Sequence, residues 1–210
     1  MRLWRSRTLW GVLLVVLGLL FLLESLQILA LGAAWALLFA AAGLVFGYTY
    51  LEDREAWWAI IPAMTLLSIA ALIGVDTLLP EVGSLWGASI FLGGLSLSFW
   101  IIYFATRSEQ WWALIPGGIL LSLALSLAVE PFLADDVFAG LFMFGIAVTF
   151  ALVYLLPNPE GRMGWALIPA GVLTLVGVII LSVTTSYANL IWPVLLIVGG
   201  AYILARSLRR

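Results

Sequence analysis

The chain has 210 residues, 65% of them hydrophobic and 10% charged, with a formal net charge of −2. A soluble domain is roughly half apolar and about a quarter charged, so this composition excludes a water-facing surface over most of the molecule and leaves lipid as its solvent. Cys, His and Lys are absent, which removes disulfides, thiol nucleophiles and zinc or haem sites built on Cys or His, and there is no basic patch for nucleic acid.

A helix of about 20 apolar residues, rising ~1.5 Å per residue, crosses a hydrocarbon layer ~30 Å thick. Runs of this kind predict helices over 9–29, 34–51, 57–75, 85–105, 111–129, 137–156, 164–183 and 189–206. The runs are continuously apolar rather than alternating, which excludes barrel strands. Arg2, Arg5 and Arg7 precede the run Leu9–Leu23 in the manner of a secretory signal. The nearest small-residue site, around Ala30 and Gly32, lies too far from that run, so the segment is read as a retained first span with Glu24 near its end. The second span opens at Trp35, carries Tyr48, and is followed by Glu52, Asp53, Arg54 and Glu55. The third opens on Trp57-Trp58-Ala59-Ile60-Ile61-Pro62 and leads to Asp76. The fourth follows Ser84, an expected N-cap, and runs from Trp86 past Tyr103 towards Arg107. The fifth repeats the motif as Trp111-Trp112-Ala113-Leu114-Ile115-Pro116 and leads to Glu130. The sixth follows two candidate caps, Asp135 and Asp136, and holds Phe138 and Tyr154. The seventh follows Arg162 and opens on Gly164-Trp165-Ala166-Leu167-Ile168-Pro169; the eighth holds Trp192 and Tyr202 and ends at Arg206, Arg209 and Arg210.

Eight spans place all nine Arg on one side, which the positive-inside rule makes cytoplasmic, with both termini inside. Five acids share that side, for a net +4; Glu24, Asp76, Glu81, Glu130, Asp135 and Asp136 give the other side −6. The motif prolines lie 54 and 53 residues apart, and Trp35, Trp86, Phe138 and Trp192 recur at 51, 52 and 54. The expected fold is therefore an all-α integral membrane protein of about eight helices, a single transmembrane domain built as four parallel two-helix hairpins. The repeat units are approximately 1–53, 54–107, 108–161 and 162–210.

Two candidate sites emerge. The Trp57, Trp58, Trp111, Trp112 and Trp165 entrances, beside Arg54, Arg107 and Arg162, could receive lipid headgroups; the plainer reading is an interfacial aromatic belt, with prolines in first turns where a missing N–H matters little. Glu24, Asp76 and Glu130 lie at matching depths on the outer side and could form a carboxylate ring for a cation; the plainer reading is solvated loop ends. Gly18, Gly43, Gly94, Gly118, Gly145, Gly171, Gly177 and Gly200 are expected to let helices approach closely. The middle of every span lacks ionisable residues, the usual mark of pumps and proton-coupled transporters. Thr65, Ser68, Ser96, Ser98, Ser122, Ser126, Thr149 and Thr174 supply the buried polarity instead. No catalytic residue, metal site or cofactor is expected.

Leu9-Trp10-Gly11-Val12-Leu13-Leu14 running to Gly18, and Ile191-Trp192-Pro193-Val194-Leu195-Leu196 running to Gly200, resemble the LiaF-type transmembrane segment of bacterial envelope-stress proteins. The resemblance covers the first and last spans; the middle hairpins look more like multi-pass bacterial proteins bearing W-W-A-L-I-P. It implies a bacterial inner membrane. No counterpart of the family's extracytoplasmic β-rich sensing domain is expected after Arg210, so restraint of a sensor kinase does not carry over. The expected role is a non-enzymatic accessory, scaffolding or oligomer-forming subunit working through membrane lipids, a second copy or a membrane-protein partner. The alternative is a channel or facilitator for a small neutral or apolar solute along the pseudo-symmetry axis.

Overall fold

The computed structural model describes residues 31–106, 109–133, 137–156 and 161–184, with scattered positions between 11 and 26. The eighth span and most of the first, together with Glu24, Arg107, Asp135, Asp136, Gly200 and Tyr202, lie outside the described residues. Six α-helices follow in order: α1 (Gly32–Glu52), α2 (Ile60–Leu78), α3 (Pro80–Thr106), α4 (Leu114–Val129), α5 (Val137–Leu155) and α6 (Leu167–Thr184), with no strand among the described residues. Each, with any short 3-10 turns flanking it, is long and apolar enough to cross a membrane. The 21 residues of α1 rise about 31 Å, close to the hydrocarbon thickness. Helices are the open-ended way to span that layer, because every interior backbone group is bonded within the segment.

These six correspond to the second through seventh expected spans, with one clear difference in boundary. Asp76, Pro80, Glu81 and Gly83 read as a loop, and the fourth span was expected from residue 85; α3 instead starts at Pro80. Leu79 alone separates it from α2, at φ −138° and ψ 70°, outside the helical region that a following proline disfavours. Pro80 then opens the helix where its fixed φ fits and no N–H is needed, with Glu81 in the first turn beside the positive end of the dipole. Ser84 is consequently inside α3 and not its N-cap: its Oγ donates to the Glu81 carbonyl at 3.0 Å.

Each described helix packs chiefly on its neighbours in the chain, from α1 on α2 through to α5 on α6. Close approach comes from small residues, as in membrane interiors generally. A Cβ on Gly43 of α1 would lie 3.0 Å from the Ala63 carbonyl oxygen on α2. Ser68 of α2 faces Gly94 of α3, and Ser122 of α4 faces Gly145 of α5; in both pairs an added methyl would overlap the serine side chain. Gly118 and Gly177 are also tight, against Thr149 and Phe144, whereas Gly171 meets no described atom within 4 Å. The packing role expected of Gly171 is therefore not seen among the described residues, because that face of α6 is exposed there.

The larger buried side chains gather at one end of the bundle, the end where the 3-10 turns lead into α2, α4 and α6. There Ile60, Ile102, Tyr103, Leu114, Val153 and Met163 form a core with Ala113 and Ala166, flanked by Trp57, Phe99, Trp111 and Phe150. Further along, the buried residues are small, among them Ser68, Ala70, Gly87, Ser122, Ala124, Ser126 and Ala147. The bundle is tied by large side chains at this Trp end and by small ones elsewhere. Thr65, Ser68, Ser122, Thr149 and Thr174 each donate to the carbonyl four residues back, at 2.7, 2.6, 2.7, 2.9 and 2.8 Å, so their polarity is neutralised within their own helices. Ser96 instead bridges α3 to α4, donating to the Gly117 carbonyl at 2.7 Å.

Candidate functional site

The three motif copies build the same local device. Trp57–Ala59, Trp111–Ala113 and Gly164–Ala166 are each a single 3-10 turn leading straight into a helix. In each, the alanine N–H donates to the residue three back, at 3.0 Å: Ala59 to Ala56, Ala113 to Gln110, Ala166 to Met163. All three alanines are 0% exposed, so no larger side chain fits there. The prolines Pro62, Pro116 and Pro169 occupy the third position of α2, α4 and α6, inside the first turn.

The paired tryptophans divide their work. Trp57 and Trp111 lean on the core, while Trp58, Trp112 and Trp165 are exposed by 52%, 36% and 48%. Trp57 meets Trp112 edge-on at 5.9 Å, which links two successive motif copies, and Trp112 also meets Phe99 at 6.2 Å. Trp58 lies against Phe46 and Trp165 against Phe150. The outward rings are thus amphipathic groups held at fixed angles on a packed base. Arg54 sits 4.8 Å above the Tyr50 ring and Arg162 5.8 Å from Tyr154, distances at which a guanidinium is attracted to the aromatic face. Sequence reading singled out Tyr48 rather than Tyr50; the Tyr48 hydroxyl donates to Glu52 Oε1 at 2.7 Å on the exposed side of α1. The structure therefore brings Trp57, Trp58, Trp111, Trp112 and Trp165 to the end that carries Arg54 and Arg162.

At the opposite end, Asp76 is exposed near the close of α2, and Glu130 is exposed in the 3-10 turn after α4. Asp76 packs beside Gly83. Among the described residues no three acidic side chains are grouped to hold a metal ion.

A groove runs along the seam of α4 and α5, with a cavity volume of about 470 Å³, within the roughly 300–1,000 Å³ range of small-molecule sites. Gly118, Ser122, Ser126, Gly145 and Thr149 line it, Leu125 and Val148 stand at its margins, and Trp100 of α3 lies at one end. Leu125 and Val148 are 58% and 57% exposed, so it opens sideways. The Trp100 Nε1–H is buried without a partner, beside Gly117.

The chain matches no family model, no curated protein and no solved structure.

Ser122, Ser126 and Thr149 were visible in the sequence as buried hydroxyls. Trp100 was not, because one tryptophan near the end of a span looks the same whether it faces headgroups or a neighbouring helix.

Proposed function

We propose that this is a multi-pass protein of a bacterial inner membrane, made of four two-helix hairpins with both termini cytoplasmic, which acts by helix and lipid contact rather than by catalysis. The observation that carries this reading is the distribution of polarity. Buried polar side chains among the described helices are hydroxyls, and most of them are bonded within their own helix. Such an interior offers no group that could gain or lose a proton at neutral pH. The hairpin repeat is supported by recurring local structure: identical 3-10 entrances, and serine-on-glycine contacts at Ser68–Gly94 and Ser122–Gly145. Much apolar surface is left for contact, with Leu37, Leu44 and Val45 of α1 exposed by 71%, 63% and 66%. The outward tryptophans beside Arg54 and Arg162 suit the headgroup layer, where amphipathic rings and cations both settle. In this reading the partners are lipids together with a second copy or another membrane protein.

Native mass spectrometry of the protein released from lipid nanodiscs tests this. The expected spectrum shows an oligomer or a co-purified membrane partner with retained lipid; a lone monomer stripped of lipid overturns the reading. A channel or facilitator is the second reading, favoured by the hydroxyls of the α4–α5 groove. Its sideways opening suits access from lipid better than a path along the bundle axis. Solute flux into proteoliposomes above that of protein-free vesicles would revive it.

A further inference from the structure

We infer that the α4–α5 groove is a binding site for one ester-linked acyl chain of a membrane phospholipid, held by a hydrogen bond from Ser126. The inference rests on the membrane-embedded reading above. A floor of glycine and serine would by itself mark only close packing. What distinguishes this groove is Ser126. Its side chain is 3% exposed and lines the cavity, yet its hydroxyl donates to no described residue, whereas Ser122 and Thr149 on the same floor donate to Gly118 and Gly145. That leaves a hydroxyl donor in the lining of the groove, and a ligand carbonyl would accept from it.

Depth selects the ligand. Ser126 lies one turn from the end of α4 at Val129, about 4.5 Å along the axis. The interfacial layer outside the hydrocarbon is about 5–7 Å thick on each side, so a lipid's ester carbonyl passes close to this hydroxyl. From Ser126 the floor runs eight residues to Gly118, about 12 Å, between apolar walls that suit a hydrocarbon chain. Trp100 lies beyond as a flat apolar stop, its N–H packed beside Gly117 and not offered to the groove. The open margin between Leu125 and Val148 lets the chain slide in from the bilayer without crossing a polar barrier.

The test uses the full chain in phosphatidylethanolamine nanodiscs doped with phosphatidylglycerol that carries a diazirine in mid-chain, with labelled residues mapped by mass spectrometry. Leu97 of α3 and Val172 of α6, exposed by 50% and 55%, serve as lipid-facing references. Label is expected to concentrate on Leu121, Leu125, Val148 and Leu152 well above the references. Ser126→Ala should lower it about threefold to tenfold, the size of one hydrogen bond, with the references unchanged. Leu125→Trp fills the groove from its open side without touching the packed floor, and should abolish the excess label. Equal labelling of groove and references, or a groove signal untouched by either variant, means ordinary surrounding lipid and overturns the inference. Crosslinks from groove residues to protein instead of lipid overturn it in favour of a helix as occupant. Label absent from groove and references alike would count against the membrane-embedded reading itself.

Discussion

Replacing Gly94 by alanine puts a methyl group into the space of the Ser68 hydroxyl, 2.9 Å from the Ser68 Cβ. Carbon atoms pack at about 3.5–4.0 Å, so α2 and α3 have to separate by about an ångström, or Ser68 has to leave its bond to the Met64 carbonyl. Overpacking of this kind costs about 1–3 kcal/mol, and the better helix propensity of alanine offsets up to about 1 kcal/mol. A net loss of about 1–2 kcal/mol is expected. Ser68→Gly removes the obstruction, so Gly94→Ala should be far less harmful in that background, with a coupling of about 1 kcal/mol between the two positions. Ser122 and Gly145, lying 54 and 51 residues further along the chain, make the corresponding contact and should give a matching cycle. Reversible unfolding in mixed micelles, followed by circular dichroism as SDS is increased, measures the wild type and all six variants. Additivity within about 0.3 kcal/mol at both pairs would refute the packing argument. Coupling at one pair alone would refute the equivalence of the two hairpins.

Ala113→Leu should destabilise by about 1–3 kcal/mol, because Ala113 is fully enclosed in its turn; the same unfolding titration reads it. Ser96→Ala should cost about 0.5–1.5 kcal/mol through loss of the α3–α4 bridge, visible as a shift of the unfolding midpoint. Pro116→Ala should change stability by no more than about 0.5 kcal/mol, since a first-turn proline breaks no intrahelical bond; a gain of about 3 kcal/mol would show that the proline lies deeper in the helix than the 3-10 turn places it.

The helices of the middle six spans were legible because lipid demands length and apolarity and nothing else. Residues 111–129 and 137–156 were drawn nearly where the helices lie, since Gln110 and the charged stretch around residue 135 bracket them. The start of α3 was not legible: the signals that end a helix at Asp76 and Pro80 are the same signals that begin one, and only the backbone at Leu79 decides between them. Nor could the sequence say which tryptophan of each pair faces inward. A 3-10 turn advances side chains by about 120° per residue, so Trp57 packs inward while Trp58 turns out, a division that helical periodicity does not anticipate. The buried hydroxyls were named from composition, but their partners were not. Ser96 and Ser122 look alike in the chain, and the difference between an interhelical bridge and a local bond lies in the approach of Gly117.

The proposed topology of repeated hairpins places every Trp–Pro entrance on one side of the membrane together with both termini. The natural chain has no cysteine, so single replacements at Ser6, Glu55, Glu109, Glu81, Glu130 and Ser207 can each be probed with a membrane-impermeant maleimide in intact cells and in inverted vesicles. Ser6→Cys, Glu55→Cys, Glu109→Cys and Ser207→Cys are expected to react only in inverted vesicles, and Glu81→Cys and Glu130→Cys in intact cells. Labelling of either terminus from the outside, or of Glu55→Cys and Glu109→Cys from opposite sides, would contradict that topology.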